Sequence, residues 1–302
     1  MISDVIRKFL TFLSFPDNLV NEKLTKKNIE LSLELKNKAL MLKKNNRYRL
    51  QTHNLFSSRI LRLISKGDLR NFLRYSYVQK MFFVHNRIYL YFQLKKILQN
   101  KKLINLLPEV KLGNPVPYFL YKCTSGNKIR HVFHLHKYLK YNSIKTDLFI
   151  EFGGGYGCMA SIIQKYTKYK NKYVIFDTKE VALIQFYYLK SLGLNVGFND
   201  YKCNIILISE ISDLNKLLRK FNNKKKFFIS NWAFSEIPLN LRKKLFNLFS
   251  SEKFLISFQS KFENIDNKKY FNNIKKNIKN THLMEVDYMN SLQKNLHYYY
   301  FR

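Results

Sequence analysis

Four of the nine glycines fall within five positions, in the run Phe149-Ile150-Glu151-Phe152-Gly153-Gly154-Gly155-Tyr156-Gly157. An apolar β-type run precedes them, and Met159, Ile162, Ile163 and Tyr166 follow at helical spacing, so the glycines form a strand-to-helix turn. Glycine there lets the backbone turn sharply and lets a nucleotide-like ligand approach with no Cβ in the way. A dinucleotide fingerprint is excluded, because G-x-G-x-x-G requires a glycine where Cys158 stands. What remains is Glu151-x-Gly153-x-Gly155-x-Gly157, a carboxylate two residues ahead of a G-x-G-x-G. A second carboxylate, Asp177, ends the next β-type run, where the carboxyl end of a second strand can accept two ribose hydroxyls. Thr178 then caps a helix that runs to Leu192 and stops at Gly193, with Glu180 in its positive first turn.

This order of strand, acid, glycine loop, helix, strand and acid resembles motif I of the class I S-adenosylmethionine-dependent methyltransferases. The resemblance implies S-adenosyl-L-methionine as cofactor, a sulfonium cation that suits a carboxylate better than a phosphate cradle. It implies that Glu151, Gly153, Gly155, Tyr156, Gly157, Asp177 and Asn231 surround that cofactor. Glu210, in Ser209-Glu210-Ile211, is expected beside the adenine, with Asp200 as the alternative.

Three further segments narrow the class: Thr124-Ser125-Gly126-Asn127-Lys128-Ile129-Arg130-His131, Tyr173 to Val181, and Phe228-Ile229-Ser230-Asn231-Trp232-Ala233-Phe234-Ser235-Glu236-Ile237-Pro238. With the glycine loop they resemble the sugar O-methyltransferase family of bacterial surface-glycan clusters, over about residues 105–260. The resemblance implies a Rossmann-like α/β sheet, mostly parallel with a C-terminal antiparallel hairpin. It also implies a sugar hydroxyl acceptor, presented as a sugar, a nucleotide-sugar or a lipid-linked glycan.

Methyl transfer to a hydroxyl needs in-line alignment and a group that takes the proton. Glu236, at a strand-to-helix corner just before Pro238, is the first candidate base, and a plain helix N-terminal charge is the alternative reading. The second candidate is the cluster Arg130, His131, His134 and His136, with His131 as its base. Arg130, His134, Trp232 and Ser235 are the expected substrate contacts, with Trp232 either a flat wall for a sugar ring or a core residue. His131 and His134 are three apart, but no well-spaced acid accompanies them, so no metal site is expected.

Helical periodicity covers the first hundred residues: Leu24, Leu31, Leu35, Ala39 and Leu42 share one stripe, a run from Leu55 to Ile64 ends at Lys66-Gly67-Asp68, and two more runs span 69–81 and 88–98. Pro108, Gly113, Pro115 and Pro117 mark a linker, so the expected division is a helical accessory or lid region, 1–107, and a methyltransferase domain, 108–302. Beyond it, β-type runs at 148–152, 173–176, 205–208, 227–230 and 254–258 alternate with helices, which implies a parallel sheet covered on both faces. Runs at 283–286 and 296–301 read as the terminal hairpin.

Composition sets the remaining bounds. The 302 residues carry 54 Lys and Arg against 20 Asp and Glu, with net +22 over residues 1–145 and +12 over 146–302. Such a chain attracts polyanions, and peripheral contact with an anionic membrane is one expectation, although surface lysines are also easily tolerated. An RNA methyltransferase is the competing reading, opposed by the absence of an Asn-Pro-Pro-Tyr-like motif and of an RNA-binding signature. A non-catalytic cofactor-binding scaffold is the third. Three widely spaced cysteines argue against a disulfide framework and for a reducing, cytoplasmic setting. Neither Phe9 to Phe15 nor Met81 to Leu94 meets the length and apolarity of a membrane span, and no signal-peptide plan is present.

Overall fold

The computed structural model describes residue 5 and residues 25–45, 51–82, 87–141, 146–249, 252–286 and 296–302. Helices come first: α1 (Lys26–Asn45), α2 (Gln51–Ser65), a 3-10 turn at Phe72–Arg74, α3 (Ser76–Met81), α4 (Leu90–Ile97) and α5 (Lys101–Ile104). A short hairpin, β1 (Pro117–Tyr118) and β2 (Tyr121–Ser125), leads into α6 (Gly126–Tyr141). Alternation follows, with β3 (Leu148–Phe152), α7 (Cys158–Tyr166), β4 (Lys172–Phe176), α8 (Lys179–Ser191), β5 (Val196–Phe198), β6 (Ile205–Ile208), α9 (Ile211–Lys220), β7 (Lys226–Asn231), a 3-10 turn at Ala233–Glu236, α10 (Leu239–Phe249) and β8 (Lys253–Gln259). The chain closes with the small pair β9 (Lys261–Phe262) and β10 (Ile265–Asp266), then α11 (Asn267–Asn277), β11 (His282–Glu285) and β12 (His297–Phe301).

One eight-stranded sheet runs in the order β11-β12-β8-β7-β3-β4-β6-β5. The neighbours from β8 to β5 are parallel, whereas β12 is antiparallel to both β8 and β11. This is the mostly parallel Rossmann-like α/β sheet with a reversed C-terminal hairpin expected from the sequence. Strand side chains alternate between two cores. Phe149, Tyr173, Ile175 and Phe227 face the helical N-terminal region with α6 to α8, while Leu148, Ile150, Val174 and Phe228 face α9, α10 and α11. Leu31, Leu35, Ile60, Phe72 and Leu90 belong to the first of these cores, so residues 25–107 pack as a layer of the same hydrophobic cluster as the sheet.

Some details depart from the sequence reading. The continuous helix expected over 69–81 is broken at Tyr75, which is extended, because the Leu73 amide donates to Gly113 O (2.9 Å) and residues 111–114 wedge against Phe72. The expected linker is partly structured, since Glu109 N donates to Cys123 O (2.9 Å) and Pro117 enters β1. The edge strand β5 is added beyond the expected set. Leu24 and the Phe9 to Phe15 run lie outside the described residues. Among the described residues, no helix is long and apolar enough to cross a membrane.

Candidate active site

Parallel strands end together on one side of the sheet, and the glycine turn sits there. Gly153 donates to Phe176 O (3.0 Å), tying the end of β3 to that of β4. It has φ +72°, and a Cβ at this position would lie 2.1 Å from Ala233 Cβ, so only glycine lets the 3-10 turn after β7 approach. Phe82 lies over Gly155 and packs 6.0 Å from the Tyr156 ring, so the helical layer caps the turn.

Two carboxylates lie beneath it. Glu151 is buried and accepts from the Tyr173 hydroxyl (2.9 Å), and burial pushes its pKa up to about 8. Asp177 accepts from the Thr178 amide through Oδ1 (2.8 Å) and from Gln185 Nε2 through Oδ2 (2.8 Å). Gln185 Nε2 also donates to Gly155 O (3.0 Å), so one amide fixes the acid to the loop. Burial raises Asp177 to about 7, against the lowering effect of those hydrogen bonds. Each Asp177 oxygen retains acceptor capacity, which suits a ligand with paired hydroxyls. Asp177 and the backbone of the turn fit the nucleoside part of such a ligand, whereas Glu151, protonated at pH 7, offers a hydrogen bond rather than a charge, and Ala233, Phe82 and Leu189 pack on Gly153, Gly155 and Gly157.

The far wall begins where β7 ends. Asn231 Nδ2 lies 3.3 Å from His131 Nδ1, and its Oδ1 accepts from Ser257 Oγ (3.3 Å). Trp232 follows with φ +65°, a positive-φ conformation rare for a bulky residue. Its amide donates to Ser257 O (2.8 Å), and its carbonyl accepts from Ser235 N (2.8 Å) and Oγ (2.6 Å). Helix α6 brings three side chains against this corner. The Arg130 guanidinium lies 4.7 Å from the Trp232 ring and contacts the Tyr89 hydroxyl. The His134 ring is 5.3 Å from Trp232, with Nδ1 2.7 Å from the Tyr299 hydroxyl. His297 Nδ1 accepts from Trp232 Nε1 (3.2 Å).

Burial first, then the nearby cations, set the charge of these histidines. Arg130 and Lys128 help hold His131 down to about 3, Arg130 and Arg87 do the same for His297, and His134 is lowered as well. All three are therefore neutral at pH 7, and His131 is a weak base there. Glu236 differs. Burial alone raises it to about 7, and it makes no hydrogen bond or ion pair among the described residues.

Several expected residues sit elsewhere. Tyr156 is fully buried, with its ring against Phe72 and Tyr188 and its hydroxyl accepting from Asn127 Nδ2 (3.0 Å), so it offers a ligand only its backbone. Ser235 is fully buried and its hydroxyl closes the turn onto Trp232 O, which leaves nothing for a substrate. Glu210 is exposed at the start of α9 and pairs with Lys179 (2.6 Å), near the first turn of the helix that follows Asp177. Asp200 accepts from Cys203 Sγ in a loop whose carbonyls meet Lys172 at the amino end of β4, the side away from the glycine turn. Tyr89, Gln185, His297 and Tyr299 were not expected. Each reaches the site through a contact distant in sequence, and only the register of β12 on β8 brings His297 and Tyr299 to it. Among the described residues, no group of three or more His, Cys, Asp or Glu is arranged to hold a metal ion.

No protein-family model and no curated protein matches the chain. Similar solved structures include phosphoethanolamine N-methyltransferase 2 of Haemonchus contortus in complex with phosphomonomethylethanolamine and S-adenosylhomocysteine (12% identity, 56% of this chain and 51% of that one, TM-score 0.36). An arsenic(III) S-adenosylmethionine methyltransferase of Chlamydomonas reinhardtii is similar at 13% identity, over 52% of this chain and 64% of that one, TM-score 0.33. An O-methyltransferase family protein of Burkholderia thailandensis is similar at 9% identity, over 71% and 70%, TM-score 0.32. The chain spans about half the length of the first of these.

Proposed function

We propose that the protein is an S-adenosyl-L-methionine-dependent O-methyltransferase that methylates a sugar hydroxyl in surface-glycan biosynthesis. The observation that carries this reading is the meeting, at the carboxyl ends of adjacent parallel strands, of the Glu151-led glycine turn and Asp177. Asp177 would hold the ribose hydroxyls and the turn the methionine portion, with Glu151 beneath it. Bound there, the cofactor supplies an electrophilic methyl group on a sulfonium. With the cofactor held there, Glu236 would take the proton of an acceptor hydroxyl aligned with that methyl group. A carboxylate near pKa 7 is suited to that task at neutral pH. Trp232 and the three neutral rings wall the acceptor, and alignment supplies much of the rate. The Arg130 guanidinium, against Trp232, would favour an acceptor that carries phosphate, as a nucleotide-sugar or a lipid-linked glycan does.

The test is incubation with labelled donor and a panel of nucleotide-sugars and lipid-linked glycans, with products read by mass spectrometry. A methylated sugar supports the proposal. Methylation of RNA in place of any sugar, or cofactor binding with no acceptor turned over, contradicts it.

A further inference from the structure

The segment from Ile88 to Leu98, which contains helix α4, has two apolar sides. Leu90, Leu94 and Ile97 turn into the core, whereas Ile88, Tyr91, Phe92 and Leu98 are 49, 45, 45 and 41% exposed. At about 100° per residue those four fall within one outward stripe roughly 120° wide, with Lys95 inside it and Lys96 at its edge. The tip of the β1–β2 hairpin extends the patch. Leu120 is 54% exposed, and Tyr118 beside it donates to Arg87 O (3.3 Å), next to Ile88. The surrounding charge has one sign: residues 69–108 hold eight Lys or Arg and no Asp or Glu, and Lys95, Lys96, Lys101 and Lys102 are exposed.

We propose that this face docks the protein onto an anionic lipid surface. Aromatic and aliphatic side chains in the plane of a helix, flanked by lysines whose stems reach past them, match the acyl and headgroup layers at once. A second copy of the chain fits less well, because a two-fold contact would bring the lysine rim against itself. Single-stranded nucleic acid accounts for Tyr91 and Phe92 but not for Ile88, Leu98 and Leu120, which offer no stacking face. The patch also lies beside the acceptor site, since Tyr89, within the same segment, contacts Arg130. The docking is independent of the methyl-transfer reading.

The test is cosedimentation of the full chain with phosphatidylcholine vesicles, with and without phosphatidylglycerol, at two salt concentrations. Binding is expected only to the anionic vesicles and should weaken with salt. The triple variant Ile88→Ser/Tyr91→Ser/Phe92→Ser leaves the charge unchanged, and Lys95→Glu/Lys96→Glu reverses two charges. Both should weaken binding about tenfold or more without lowering the melting temperature. The control Lys243→Glu/Lys244→Glu makes the same charge change on α10, over the opposite face of the sheet, and should leave binding within about twofold. The proposal is overturned if the wild type ignores anionic vesicles, if the control loses as much as the patch variants, or if both patch variants bind as the wild type does. It is equally overturned if the triple variant instead abolishes self-association or RNA binding while vesicle binding persists.

Discussion

Replacing Glu236 with Gln should slow turnover and stabilise the protein, and the two effects share one cause. Burial lifts the Glu236 pKa from 4.5 to about 7 with no compensating partner, so the fold disfavours the charged form. In the unfolded chain the group ionises near its ordinary value. As pH rises through 4.5 the unfolded state therefore releases a proton that the folded state keeps, and folding stability falls until the folded group also ionises near 7. That interval corresponds to about 3 kcal/mol, an upper figure for a side chain that retains some exposure. Glutamine keeps the shape and cannot ionise. Urea unfolding of Glu236→Gln and wild type across pH 4.5 to 8.5 should give similar stabilities at the acid end. A variant advantage should then open up to about 3 kcal/mol above pH 7. At pH 7.5 the same variant should turn over about 10²-fold more slowly or worse, with cofactor affinity held. A stability difference that stays flat with pH would refute the desolvation argument, because the side chain would then titrate as an exposed acid does. If His131→Gln rather than Glu236→Gln abolishes turnover, the proton goes to the histidine despite its low pKa.

Four further outcomes concern the site and the surface. Asp177→Ala should weaken S-adenosylhomocysteine binding by about 10² to 10⁴-fold in calorimetry, since it removes two bonds to a charged group at about 1.5 to 3 kcal/mol each. For the wild type, that affinity should fall as pH drops through 7, when Asp177 takes up its proton. Gly153→Ala should cost about 2 kcal/mol or more in urea unfolding, from φ +72° and the overlap with Ala233, and adding Ala233→Gly should recover only the overlap part. RNA binding should be weak near 0.15 M salt, fall steeply with added salt and show no sequence preference.

The parallel strands were the most legible part of the sequence. Leu148–Phe152 and Ile205–Ile208 match their β-type runs residue for residue, because strands covered on both faces are apolar at every position here except Glu151. The glycine turn and Asp177 were equally readable, since their spacing is local and the backbone dictates it. The wall around Trp232 was read only in part. Arg130, His131 and His134 share a helix and could be grouped, but nothing near Trp232 indicates that His297 of the reversed strand would meet its indole. Tyr156 and Ser235 looked like site residues by their neighbours, and tertiary packing turned both inward. The break at Tyr75 arose the same way, from a hydrogen bond to Gly113 forty residues on in the chain.

The central claim is that the turn from Gly153 to Gly157 and Asp177 form a site for S-adenosyl-L-methionine. Thermal unfolding with S-adenosyl-L-methionine, S-adenosylhomocysteine and NAD tests it most directly. At a hundredfold excess over Kd, a ligand selective for the folded state adds about 2.7 kcal/mol of stability. The two adenosyl compounds should therefore raise the melting temperature by several degrees, NAD should not, and Asp177→Ala should erase most of the rise. No shift with either adenosyl compound, or an equal shift with NAD, would contradict the account.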